Sequence, residues 1–136
     1  MQVYRKILVT IDCSEVDGPI LAHAGALARQ NSARIVLLHV IHAHTIDQDR
    51  ALREKATKAM DECLAKMKAE GVDVEAIIRS GEPEKEIIQE IDQGGYDLVA
   101  MATHGHNFLG DILFGSVSDS LKHKLTIPLL LLRYEG

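Results

Sequence analysis

Five short apolar runs alternate with helix-length segments along this chain, and that alternation constrains the fold more than any other feature. KILVTI (6–11), RIVLLHV (34–40), residues 72–78, DLVAMA (97–102) and PLLLLR (128–133) are rich in branched residues and too short for whole helices. They read as strands. Between them, Ile20, Leu21, Ala24, Leu27 and Ala28 recur at helical spacing, as do Leu52, Ala56, Ala59, Met60, Cys63, Leu64 and Met67. Ser14 with Asp17 has the form of a capping box, Gly71 is placed to end the second helix, and Pro83 suits the first turn of a third, whose stripe is Ile87, Ile88 and Ile91. Residues 41–50 show no period and read as a loop, with the second helix over about 48–70, and residues 115–125 read as a last helix. Strands alternating with helices bury a parallel sheet under helices on both faces, joined by right-handed crossovers. Val72, Val74 and Ala76 alternate with Asp73 and Glu75, which places the third strand near a wet sheet edge.

Length and composition fit one domain over residues 1–136. The chain is 46% hydrophobic and 26% charged with three prolines, so it can bury a core and is not a disordered tail. Fifteen Lys and Arg against 20 Asp and Glu argue against a broad nucleic-acid-binding face. No stretch approaches the roughly 20 apolar residues that span a bilayer, and the charged start MQVYRKILVTID is unlike a signal peptide. The expectation is a cytoplasmic protein with no membrane or nucleic-acid partner.

In such a sheet a ligand binds beyond the carboxyl ends of the strands, where the strand order reverses. Asp12, Val40 and the loop after Ala102 belong at that end. The loop and following segment, ATHGHNFLGDILFGSVSDS (102–120), hold Gly105, Gly110 and Gly115, the last followed by Ser116 at a helix start. Two readings stay open. Missing Cβ atoms and the unpaired N–H groups of a first helical turn make an anion cradle, with Ser116 and Ser118 as added donors. Alternatively the glycines serve tight turns and a serine caps the helix. Neither the GxxxxGK[ST] pattern nor a GxGxxG after the first strand is present.

The pattern resembles the universal stress protein family, whose adenine-nucleotide-binding members carry G-2x-G-9x-G-[ST] between the fourth strand and last helix. Here it reads Ala102-Thr103-His104-Gly105, nine residues, then Gly115-Ser116, with Asp12 ending the first strand, LLHV up to Val40 ending the second, and IPLLLLR closing the chain. The resemblance implies an open five-stranded parallel sheet of order 3-2-1-4-5 with helices on both faces, Rossmann-like and akin to the adenine nucleotide alpha hydrolases. It implies ATP with Mg2+ or Mn2+, or AMP or ADP, as ligand. Asp12 and Val40 would lie against adenosine, and Ala102 and Gly105 would border ribose and phosphate. Gly115, Ser116, Val117 and Ser118 would wrap the phosphates. His106, or His104, is a further candidate contact to phosphate or ribose. Ala102 departs from the first glycine of the pattern; a Cβ is harmless there if φ stays negative and strained if it does not.

The resemblance also implies a homodimer through the last strand, residues 129–133, beginning at Leu129 and ending at Arg133. The apolar character of that strand independently invites pairing with a second chain. The function implied is a stress-related regulator whose loop and surface respond to nucleotide, acting on a protein partner. Two other classes remain open: a slow ATP-hydrolysing enzyme, though no Walker lysine collects charge, and an interaction module that binds no nucleotide.

Other residues carry competing readings. Asp12 either contacts the ligand or a divalent ion, or caps the following turn. Cys13 reads as a chance thiol rather than a nucleophile, and a disulfide with Cys63 stays open. His39 reads as a satisfied core or cleft-lining side chain. His42 with His44, and His104 with His106, lack the spacing of a helical zinc site. Glu82, Glu84, Glu86 and Glu90 suit the positive end of a helix dipole more than catalysis.

Overall fold

A computed structural model describes residues 3–14, 17–104, 117 and 120–134. The order of elements is β1 (Lys6–Thr10), α1 (Asp17–Asn31), β2 (Arg34–Ile41), α2 (Ile46–Ala69), β3 (Asp73–Ser80), α3 (Pro83–Gly94), β4 (Leu98–His104) and β5 (Leu129–Tyr134). Val117, Ser120 and Leu121 are helical and precede β5. The five strands form one sheet in the order β3-β2-β1-β4-β5, and every pairing is parallel. β3 is therefore an edge strand, as its alternating polarity indicated.

Side-chain alternation splits the core into two layers. Ile7, Val9, Ile35, Leu37 and Ala100 pack under Ile20, Ala24 and Ala28 of α1 and Met60 and Met67 of α2. Leu8, Val36, Leu38, Val99 and Met101 face the other way, against Ile87 of α3 and Leu121. Central strands buried on both faces explain why β1, β2 and β4 read as unbroken apolar runs. Each large aliphatic side chain buried this way contributes roughly 1.5–3 kcal/mol relative to exposure.

Helix boundaries follow local chemistry. α2 starts at Ile46 rather than near residue 48, because the Thr45 hydroxyl accepts from Gln48 N (3.0 Å) while Gln48 Oε1 accepts from His44 N (2.8 Å). This reciprocal cap recruits residues that show no hydrophobic period. At the other end Gly71 takes φ +83°, and Val72 N donates to Met67 O at 3.0 Å. That left-handed turn favours glycine. β3 and β4 each run two residues beyond the expected ends, since Arg79 and Ser80 pair with Val40 and Ile41, and Thr103 and His104 pair with Arg133 and Tyr134. Among the described residues no helix is long and apolar enough to cross a membrane.

Candidate functional site

The carboxyl ends of β1 and β2 lie side by side, and the chain leaves β1 through a turn organised by a buried carboxylate. Asp17, only 3% exposed, accepts from Asp12 N (2.9 Å) and Ser14 N (3.1 Å). Burial pushes its carboxyl above the ordinary value, against the hydrogen bonds of the Asp12, Ser14 and Cys13 amides, which favour the charged form. Half of the expected capping box forms. Ser14 contributes its carbonyl to Asp17 N (3.1 Å), while its hydroxyl donates to Asp12 Oδ2 (3.3 Å). Between them Cys13 adopts φ 59°, a left-handed conformation that costs energy in a residue with a Cβ.

This turn forms one wall of a cleft of about 380 Å³, within the size range of small-molecule sites. Asp12, Cys13 and Ser14 line one side; His39, Val40, Ile41 and His42 come from the end of β2 and the residue after it; Leu52, Lys55 and Ala56 of α2 and Pro83 of α3 complete it. Asp12 and Val40, chosen from sequence for the adenosine part, thus share one cleft. His39 lines it too, and its ring Nδ1 lies 2.9 Å from Ile11 O. A carbonyl only accepts, so Nδ1 carries the proton in this contact. His42 donates likewise to Gly81 O (3.3 Å) and meets His44 edge-on, with ring centroids 5.5 Å apart. Thr10, at the tip of β1 and 2% exposed, has a hydroxyl with no hydrogen-bond partner among the described residues.

The remaining sequence candidates fall in two groups. Ala102 sits inside β4 opposite Leu132, 3% exposed, with its methyl in the layer beneath α1 and α2. Cys13 and Ser32 are the described non-glycine residues with positive φ, so Ala102 keeps the negative φ that any residue adopts in a strand. Val117 is buried with Leu8, Leu38, Met101 and Leu121, so its side chain belongs to the core. Gly105, His106, Gly115, Ser116 and Ser118 lie outside the described residues. Leu52, Lys55 and Ala56 had no motif to mark them as cleft residues; α2 brings them there only through the crossover to β3.

A second cleft of about 430 Å³ runs between α1 and α2 and is lined by both cysteines. Cys13 and Cys63 are free thiols. Burial, reinforced by the Asp17, Cys63 and Asp12 charges, pushes Cys13 from 9.0 to about 12, and burial raises Cys63 as well. Such a thiol stays protonated at neutral pH and is a poor nucleophile. Among the described residues no group of three or more His, Cys, Asp or Glu side chains converges on a metal position.

Comparison with known proteins assigns this architecture. The sequence profile described as "Universal stress protein family" matches residues 3–133. The chain belongs to the universal stress protein family. Among its relatives, universal stress protein YxiE of Bacillus subtilis is 28% identical over 148 residues, covering 96% of this chain and 100% of YxiE. The solved structure of MJ0577 from Methanocaldococcus jannaschii superposes with a TM-score of 0.84 at 30% identity, covering 98% of this chain and 99% of that one. The Archaeoglobus fulgidus universal stress protein, solved in complex with dAMP, shares the fold at a TM-score of 0.73 and 21% identity, covering 95% and 98%. The sheet order implied by the resemblance is the order observed.

Proposed function

We propose that this universal stress protein binds an adenine nucleotide in the cleft at the carboxyl ends of β1 and β2, and acts in the cytoplasm as a nucleotide-responsive homodimeric regulator. The observation that carries this reading is the shared position of Asp12 and Val40 on one 380 Å³ cleft, at the place where an open α/β sheet takes its ligands. A structural relative that holds dAMP on the same fold supports the ligand class. The chemistry fits: an apolar wall from Val40, Leu52 and Ala56 suits a purine face, and Asp12 offers a carboxylate to ribose hydroxyls.

Gly105, His106, Gly115, Ser116, Val117 and Ser118 are the proposed phosphate side, with Val117 contributing its backbone while its side chain anchors the segment in the core. Ala102 borders them from β4. ATP, ADP and AMP are all candidate ligands. Mg2+ or Mn2+ would enter on the phosphates, with Asp12 the carboxylate placed to assist; such ions are commonly held by one or two carboxylates together with phosphate oxygens. Phosphate contacts there would change the surface offered to a protein partner.

The test is chemical. Protein purified without added nucleotide is denatured, and the released small molecules are identified by mass spectrometry. Stoichiometric adenine nucleotide supports the reading. An empty, folded protein that gives no heat with millimolar Mg-ATP or AMP contradicts it.

A further inference from the structure

His39 occupies the cleft in a defined orientation. Its Nδ1 proton is committed to Ile11 O at 2.9 Å, which ties the ring across the ends of β1 and β2. In a singly protonated ring the second nitrogen, Nε2, then keeps its lone pair and can only accept a hydrogen bond. Nε2 makes no hydrogen bond among the described residues. The cleft that His39 lines carries Asp12, whose charged carboxylate also accepts, and Lys55, whose ammonium donates. The cleft thus includes an imidazole whose orientation is fixed by the Ile11 carbonyl.

We infer that His39 is a specificity-determining residue, whose Nε2 accepts a hydrogen bond from the exocyclic amino group of a bound purine. This role rests on the adenine reading of the cleft. The chemical logic is that of a fixed tautomer. A rotatable hydroxyl serves a donor or an acceptor equally, whereas an imidazole held at Nδ1 by a carbonyl selects a donor at its other nitrogen. A ligand without the amino group leaves that lone pair unpaired in a partly desolvated cleft.

The test compares AMP with purine riboside 5′-monophosphate, which is AMP without the 6-amino group, by calorimetric titration of the nucleotide-free full chain. Wild type is expected to prefer AMP by about 10-fold, the yield of one well-made hydrogen bond. In His39→Phe and His39→Leu the preference falls to within about 2-fold, because neither side chain accepts. His39→Gln, whose amide can both donate to Ile11 O and accept at the ligand, keeps it. A purely structural role would weaken both nucleotides alike and leave their ratio unchanged. Equal binding of the two by wild type, or a preference that survives His39→Phe, overturns the role. Wild type that binds neither removes the adenine reading itself, and this role with it. Should both apolar variants fail to fold, wild type labelled with 15N at histidine decides: the His39 Nε2 resonance moves with AMP and stays with the amino-free analogue, and the reverse or no difference overturns the role.

Discussion

Ala102 replaces the first glycine of the family's pattern, and its surroundings accommodate a methyl group. It lies in a regular strand paired with β5, and its methyl is part of the core. Ala102→Gly is therefore expected to lower stability by about 1 kcal/mol, through lost methyl burial and added chain entropy, and to change AMP affinity by less than about 2-fold. Denaturant unfolding and calorimetry read the two effects. A tenfold gain in affinity would mean the methyl crowds the ligand. Cys13 gives a second test at this scale. Its thiol is raised from 9.0 to about 12, so the folded protein holds that proton after the unfolded chain has lost it. The stabilisation is complete below pH 9 and disappears as pH rises through 12. Urea midpoints should fall across pH 9–12 in wild type, and Cys13→Ala should flatten that fall. A pair of identical curves would place the alkaline transition elsewhere.

At the scale of elements, the local signals were legible and the pairings between distant elements were not. The glycine after α2 and the proline of α3 act within a few residues, which is why those helix ends could be read from sequence, whereas the Thr45 cap lay in a stretch read as loop and α2 starts earlier than expected. Glu90 illustrates the limit. Its place among Glu82, Glu84 and Glu86 suggested a helix-dipole carboxylate, yet it is 6% exposed. It pairs with Arg79 of β3 and accepts from the Tyr96 hydroxyl at 2.6 Å. One carboxylate thus fastens α3 to β3 and to the turn entering β4. Only the three-dimensional crossing brings these groups together. Glu90→Ala should cost about 3 kcal/mol, since it strands a guanidinium and a buried hydroxyl. Thermal and urea melts would show it, and a loss below about 0.5 kcal/mol would mean solvent replaces the pair freely.

For the whole molecule, strand periodicity gave the number of strands and their parallel sense, while their order came from the family pattern. The cleft was half legible. Asp12 and Val40 could be placed because strand ends are visible in sequence; the wall from α2 could not, because no local signal says where a crossover helix will pass. The far edge of the sheet bears on assembly. β5 ends the sheet, and Leu131 on it is 41% exposed, an apolar edge of the kind a second copy can cover. Leu131→Asp should convert the proposed dimer to monomer, read by light scattering, and an unchanged mass would move the interface elsewhere.

The central claim is that adenine nucleotide occupies the cleft at the ends of β1 and β2. The direct measurement is a titration of the 15N-labelled, nucleotide-free protein with AMP, followed amide by amide. The account predicts saturable shifts concentrated at Asp12, Cys13, His39 and Val40, with little change along α3. Saturable shifts confined to the groove between α1 and α2, around Cys63 and Met67, or no saturable shift at millimolar AMP, would contradict it.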